Sequence, residues 1–191
     1  MSEAEIAESL RIAVTEGGIR SDAPLLSLER IPAVLDEIRS GNLKLKGEII
    51  DVVNGDDQVI ARIDRQIAHT YGLRHRTSGA LIRTPEGKYL FQVRVHNMKV
   101  YPFGLAAYGG HVLSGMTYEE AIREELLQEL GLEEGHELKG RFLKLGPHGS
   151  FESPAWDHKN VERRSWDIYE PPADELKKIR EIIGSLEQYR L

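Results

Sequence analysis

The run GGHVLSGMTYEEAIREELLQELGL, residues 109–132, limits the fold more than any other stretch of the chain. A glycine pair leads into a segment crowded with glutamate, and Gly131 closes it. Thr117 followed by Glu120 reads as a capping box, which predicts a helix over about residues 118–130 with Gly131 as its terminator. At about 100° per residue, Tyr118, Ala121, Ile122, Leu126 and Leu130 cover one broad face. Glu119, Glu120 and Glu124 suit a solvated surface, whereas Glu125 and Glu129 fall inside the apolar face, one turn apart. Two carboxylates stacked on a half-buried face repel each other unless a proton or a cation lies between them. A divalent metal bound through oxygen is the economical solution.

The chain around this helix has the content of an ordinary globular protein. Of its 191 residues, 40% are hydrophobic and 29% charged, enough for one domain with a real core. Lys plus Arg number 25 and Asp plus Glu 31, a net charge of −6, and no lysine-rich arm is present. That balance argues against binding nucleic-acid polymers while leaving local cations free to grip a phosphorylated small molecule. Cysteine is absent, which excludes disulfides, thiolate metal sites and thiol nucleophiles. The N-terminal MSEAEIAESLRIAVTEGG is acidic and amphipathic, unlike a signal peptide, and no apolar run approaches the ~20 residues of a membrane helix. A cytoplasmic protein with no membrane partner is expected.

Ile6, Leu10 and Val14 recur every four residues before Gly17-Gly18, and LERIPAVLDEIRSG carries Pro32 early and Gly41 late, so both segments read as helices. They form a helical N-terminal extension, residues 1–45, expected to pack on the main domain or on the second copy in a homodimer. The main domain, residues 46–191, begins with two β-rich runs around Asn54-Gly55 and repeats the design around Pro85-Glu86-Gly87. After the turn-rich HNMKVYPFG come a short strand into Gly109-Gly110, the glutamate helix, strands near 137–145 and 164–169, and a C-terminal helix in ADELKKIREIIGSLEQY. Strands on both sides of a central helix indicate an α+β or mixed-sheet domain.

The 109–132 run resembles the Nudix box: a glycine, five residues, a glutamate, seven residues, then Arg-Glu-apolar-x-Glu-Glu-x-Gly-apolar. Gly110, Glu125-Leu126, Glu129 and Gly131-Leu132 match it, while Met116, Glu124 and Gln128 stand where the pattern has Glu, Arg and Glu. The resemblance implies an α+β Nudix fold, a mixed β-sheet sandwiched between helices. It further implies that Glu125 and Glu129 hold Mg²⁺ or Mn²⁺ against a diphosphate while water attacks phosphorus. Glu124 is the candidate replacement ligand or base.

Over roughly residues 47–170 the chain is also similar to type 1 isopentenyl diphosphate isomerases and their nearest hydrolases. This likeness implies a metal site at His69, His75 and His111, completed by Glu162, with three imidazoles suiting Mn²⁺ or Zn²⁺. It also places Arg94 and Lys99 on the diphosphate, as a forked donor and a point charge. The isomerase has a cysteine where this chain has Gly109, so isomerase activity is not expected. His148 and His158 read as solvated, and Arg62, Arg65 and Arg74 have no assigned role. A metal-dependent hydrolase of a diphosphate bond in a small molecule is the expectation. The alternatives are an inactive module binding a nucleotide or prenyl diphosphate, and a scaffold stabilised by metal at the histidines. Tyr101, Phe103, Trp156 and Trp166 are read as core rather than as base-stacking groups.

Overall fold

The structure, a computed structural model, describes residues 1–19, 25–94, 96, 103–132, 135–145, 150–151 and 161–187. The chain divides into two compact units. One comprises Met1–Thr77, His111–Thr117 and His148–Arg164; the other comprises Ser78–Gly110, Tyr118–Pro147 and Ser165–Leu191.

In the first unit, helix α1 (Glu3–Thr15) starts at a capping box in which Ser2 and Glu5 bond reciprocally. Helix α2 (Ile31–Arg39) follows with Pro32 in its first turn. Strands β1 (Ile49–Val53) and β2 (Val59–Asp64) form the antiparallel hairpin expected at Asn54. The Asn54 side chain turns it by accepting from the backbone of Asp56 and Gln58, both at 3.0 Å. Ile6, Leu10 and Ala13 of α1 and Val34 of α2 share one core with Ile50, Val52 and Ile63 of the hairpin. The heptad-like apolar spacing of the N-terminal segment is thus used within this unit.

Helix α3 (Arg65–Tyr71) has no counterpart among the elements expected from sequence. Asp64 caps it through Gln66 N (2.8 Å) and also accepts from Lys46 N (3.0 Å) and Gly47 N (2.7 Å). Gly72, at φ 65°, ends it in the left-handed conformation and turns the chain into β3 (Arg74–Arg83). Arg74 donates to the carbonyl of Gly17 at 2.7 Å, holding the chain just beyond the end of α1.

Strand β3 continues into the second unit and pairs there with β4 (Tyr89–Leu90) across the expected turn. The second arm of that hairpin is interrupted: β5 (Gln92–Val93) leaves to pair with β6 (Leu105–Ala106). Then come β7 (Tyr108–His111), helix α4 (Tyr118–Glu129), β8 (Arg141–Lys144), the short β9 (Ser150–Phe151), β10 (Val161–Glu170) and α5 (Ala173–Glu187). β8 pairs antiparallel with β10. The core of the second unit gathers Ala80, Ile82, Tyr108, Ile122, Leu126, Leu130, Tyr169 and Ile179. Strands stand on both sides of α4 in the chain, an α+β architecture as expected. No helix among the described residues is long and apolar enough to cross a membrane.

Candidate metal and diphosphate sites

Helix α4 buries Ala121, Ile122 and Leu126, and Leu130 follows them into the core. Gly131 terminates it at φ 63°, with Leu132 N bonding to Leu127 O at 3.0 Å. The apolar face is the expected one, but its two glutamates differ: Glu125 is half-buried and Glu129 is exposed. Leu126 and Leu130 are buried on either side of Glu129, so position on the face does not translate into equal burial. Glu119, Glu120 and Glu124 are exposed, and Arg123, beside Glu124, pairs with Glu119 and lies over the Phe142 ring.

Both Glu125 and Glu129 come down on the glycine pair of β7. A Cβ on Gly110 would lie 2.1 Å from Glu125 Oε1, so only glycine leaves room for that carboxylate. Glu129 Oε2 accepts from the backbone N–H of Gly109 at 2.8 Å, and Oε1 accepts from Gln92 Nε2 at 3.1 Å. Gly109 has φ 145°, and a Cβ there would meet the carbonyl oxygen of Ser78 at 2.2 Å. Neither glycine can be replaced without moving its neighbours. Burial, with the Glu129 charge nearby, pushes the Tyr108 hydroxyl above its usual pKa. Sequence reasoning missed Gln92, whose contact with Glu129 spans 37 residues and leaves no local spacing signal.

Arg94 is half-buried and fixes the ribbon beyond β5 and β6. Its N–H bonds to Gly104 O and its carbonyl accepts from Phe103 N, both at 2.9 Å. Strand alternation puts Arg94 on the same side as Gln92. Lys99, Tyr101, His148, Trp156 and His158 lie outside the described residues. Phe103, expected in the core, is 71% exposed; it sits at a ribbon turn with φ 62°, its ring 6.5 Å from that of His96. Trp166 packs over Gly79, whose missing side chain makes the space.

The three histidines belong to the first unit, and the structure brings them together. One ring nitrogen from each lies within 4.8 Å of the other two. His69 stands on α3, His75 on β3 after the Gly72 turn, and His111 at the end of β7. His69 Nε2 and His111 Nε2 are 2.9 Å apart. His75 is fully buried and its Nδ1 donates to Leu73 O at 2.9 Å. That bond assigns the proton to Nδ1 and the lone pair to Nε2, the arrangement a metal-bound histidine adopts. The segment carrying His111 is tied down by Val112 N to Arg76 O (3.1 Å) and by Ser114 Oγ to the buried Asp51 (2.6 Å). Asp51 was not singled out from sequence, because a lone carboxylate in a strand carries no motif. Glu162 lies on β10, and its side chain is outside the described set. Met116 is half-buried before α4, and Gln128 is exposed on it. Of the unassigned cations, Arg62 approaches Asp51 at 3.7 Å and Arg65 pairs with Glu48 at 2.6 Å.

The chain is 34% identical over 92 residues to an uncharacterized Nudix hydrolase of Streptomyces coelicolor, covering 48% of this chain and 51% of that protein. An uncharacterized Nudix hydrolase of Yersinia pestis is 37% identical over 86 residues, 44% of this chain and 47% of its own length. A Nudix hydrolase of Deinococcus radiodurans is 36% identical over 87 residues, 45% of this chain and 51% of its own. The chain thus spans about half the length of the curated relatives it matches. No family model matches it. Among solved structures, the Deinococcus radiodurans protein DR0079 aligns with a TM-score of 0.48 at 27% identity, over 66% of this chain and 74% of that one.

Proposed function

We propose that the chain is a Nudix-type hydrolase, as its 34–37% identity to Nudix hydrolases over about half its length supports, and that it hydrolyses a diphosphate bond in a small molecule with Mg²⁺ or Mn²⁺ held by Glu125 and Glu129. The observation that carries this reading is the docking of both carboxylates on consecutive glycines of one strand. Each Glu129 oxygen accepts one N–H, and a carboxylate offers about four lone-pair positions, so acceptor capacity remains for a cation. A bound divalent ion neutralises charge on the diphosphate and lowers the pKa of a coordinated water.

The chain's own groups supply the remainder. Arg94, on the same side of the ribbon as Gln92, offers a fork of donors to phosphate oxygens, with Lys99 as a second cation. Gly110, whose missing side chain makes room for the Glu125 carboxylate, borders the substrate through its backbone. Glu124, exposed beside Glu125, takes the role of base toward the attacking water. His69, His75 and His111 form a second site, of imidazoles, for Mn²⁺ or Zn²⁺, with Glu162 the carboxylate that the likeness to the isomerases would add. The lack of space at Gly109 supports hydrolysis over isomerisation, because that position cannot carry the thiol side chain of the isomerases without displacing Ser78 O.

A second reading, a binding module for a nucleotide or prenyl diphosphate, is favoured by Met116, Glu124 and Gln128 at the altered box positions. Product release from a panel of nucleoside and prenyl diphosphates, with Mg²⁺ and with Mn²⁺, separates the two. Hydrolysis predicts metal-dependent turnover that is lost in Glu129→Gln. No turnover on any compound, with one of them raising the melting temperature, supports the binding module.

A further inference from the structure

We propose that Gln92 is the positioning residue of Glu129, doing with an uncharged amide what a cation would otherwise do. The inference rests on the reading of Glu129 as a metal ligand. Among the described residues, the donors to the Glu129 carboxylate are Gln92 Nε2 (3.1 Å) and Gly109 N (2.8 Å), neither of them charged. The charged groups of α4 nearest in sequence are committed elsewhere or carry the wrong sign: Arg123 pairs with Glu119, and Glu124 is itself a carboxylate.

The orientation of the Gln92 amide is settled by its partners. Nε2 also donates to the carbonyl of Ala107 at 3.0 Å. Both neighbours, a carbonyl and a carboxylate, only accept, so the nitrogen must face them, and its two hydrogens are both used. Gln92 is itself pinned on β5 opposite Ala106 of β6. The amide therefore bridges two fixed points, the β6–β7 junction and the last turn of α4. The carboxylate is gripped on both oxygens from nearly opposite sources, a backbone N–H and a side-chain N–H, which restrains rotation about its terminal bond. An exposed glutamate at a helix end would otherwise sample several rotamers, and ordering it at the moment of metal binding would weaken the affinity. An amide also holds the carboxylate without neutralising it, so its full charge stays available to the cation.

The test is a double-mutant cycle read by Mn²⁺ titration on the full chain, with Gln92→Leu, Glu129→Gln and the pair. Groups that orient metal ligands typically contribute about tenfold or more in affinity. Gln92→Leu should therefore raise the Mn²⁺ Kd by about tenfold in the native background, and by no more than about twofold when Glu129 is already Gln. Gln92→Glu, which replaces the donor by a like charge, should weaken Mn²⁺ binding further and serves where the leucine variant fails to fold. An equal loss in both backgrounds would show that Gln92 merely holds the ribbon, and would overturn the proposal. So would an unchanged Kd in a folded Gln92→Leu while Glu129→Gln does weaken binding. If Glu129→Gln itself leaves the Kd unchanged, the ligand assignment falls and the inference falls with it.

Discussion

The histidine cluster of the first unit and the carboxylate pair of the second, both proposed as metal sites, are assembled by opposite means. Imidazoles are neutral, so three of them can be brought within 4.8 Å around a buried member with little electrostatic opposition. Ordinary secondary structure places them: a capped helix, a left-handed glycine and two strands. Carboxylates repel one another and resist burial. In the second unit they sit at the margin of the core, and glycines admit them: Gly110 by having no side chain and Gly109 by offering its N–H. Neutral ligands can be positioned by packing alone, whereas charged ones need backbone donors and space made for them.

The largest effect should come from Gly109→Ala. Its φ of 145° and the 2.2 Å approach to Ser78 O leave no relaxed position for a methyl group, so about 3 kcal/mol of stability should be lost. Chemical denaturation measures this, and a loss under 1 kcal/mol would mean that the backbone donor to Glu129 is not rigidly placed.

Next in size is Asp64→Ala, which removes the acceptor for Gln66, Lys46 and Gly47 N–H groups. About 2 kcal/mol should disappear, and Zn²⁺ affinity should fall with it, because α3 carries His69. Mn²⁺ binding at Glu125 and Glu129 should persist in the folded fraction. Equal losses at both sites would break the distinction drawn between them.

Gly110→Ala sharpens the contrast from the other side. The three atoms nearest its methyl group all belong to the flexible end of Glu125, so the fold should survive while that carboxylate swings away. Mn²⁺ affinity should drop about tenfold, ~1.4 kcal/mol, with Zn²⁺ binding unchanged in the same titration.

The smallest effect is a pH dependence. Burial, and then the bond to Glu175, raise the Tyr169 hydroxyl well above its ordinary pKa. A raised folded pKa means that its stabilising contribution is complete below the unfolded tyrosine value near ~10 and is lost as pH rises through the folded one. Tyr169→Phe should cost about 1 kcal/mol at neutral pH and flatten the loss above pH ~10. A variant that keeps the native alkaline slope would assign that slope to other groups.

What could be read in the sequence follows the range over which its signals act. The Asn54 hairpin, α4 and its Gly131 stop depend on neighbours a few residues apart, and they appear as expected. Helix α3 was missed although its signals were present: Asp64 as cap and Gly72 as terminator bracket only seven residues, too short for apolar periodicity to register. The apolar face of α4 is legible in the sequence, but the burial of each side chain on it is not: Glu129, expected to be half-buried, is exposed between the buried Leu126 and Leu130. Gln92 and Asp51 act through partners 37 and 63 residues away. Only the fold brings such pairs together.

The role of Glu129 as a ligand to the proposed metal is tested most directly by Mn²⁺ titration of Glu129→Gln against the native chain. The expected result is at least a tenfold weakening, about 1.4 kcal/mol, in a protein whose melting temperature without metal is unchanged. Identical titration curves from two folded proteins would contradict it.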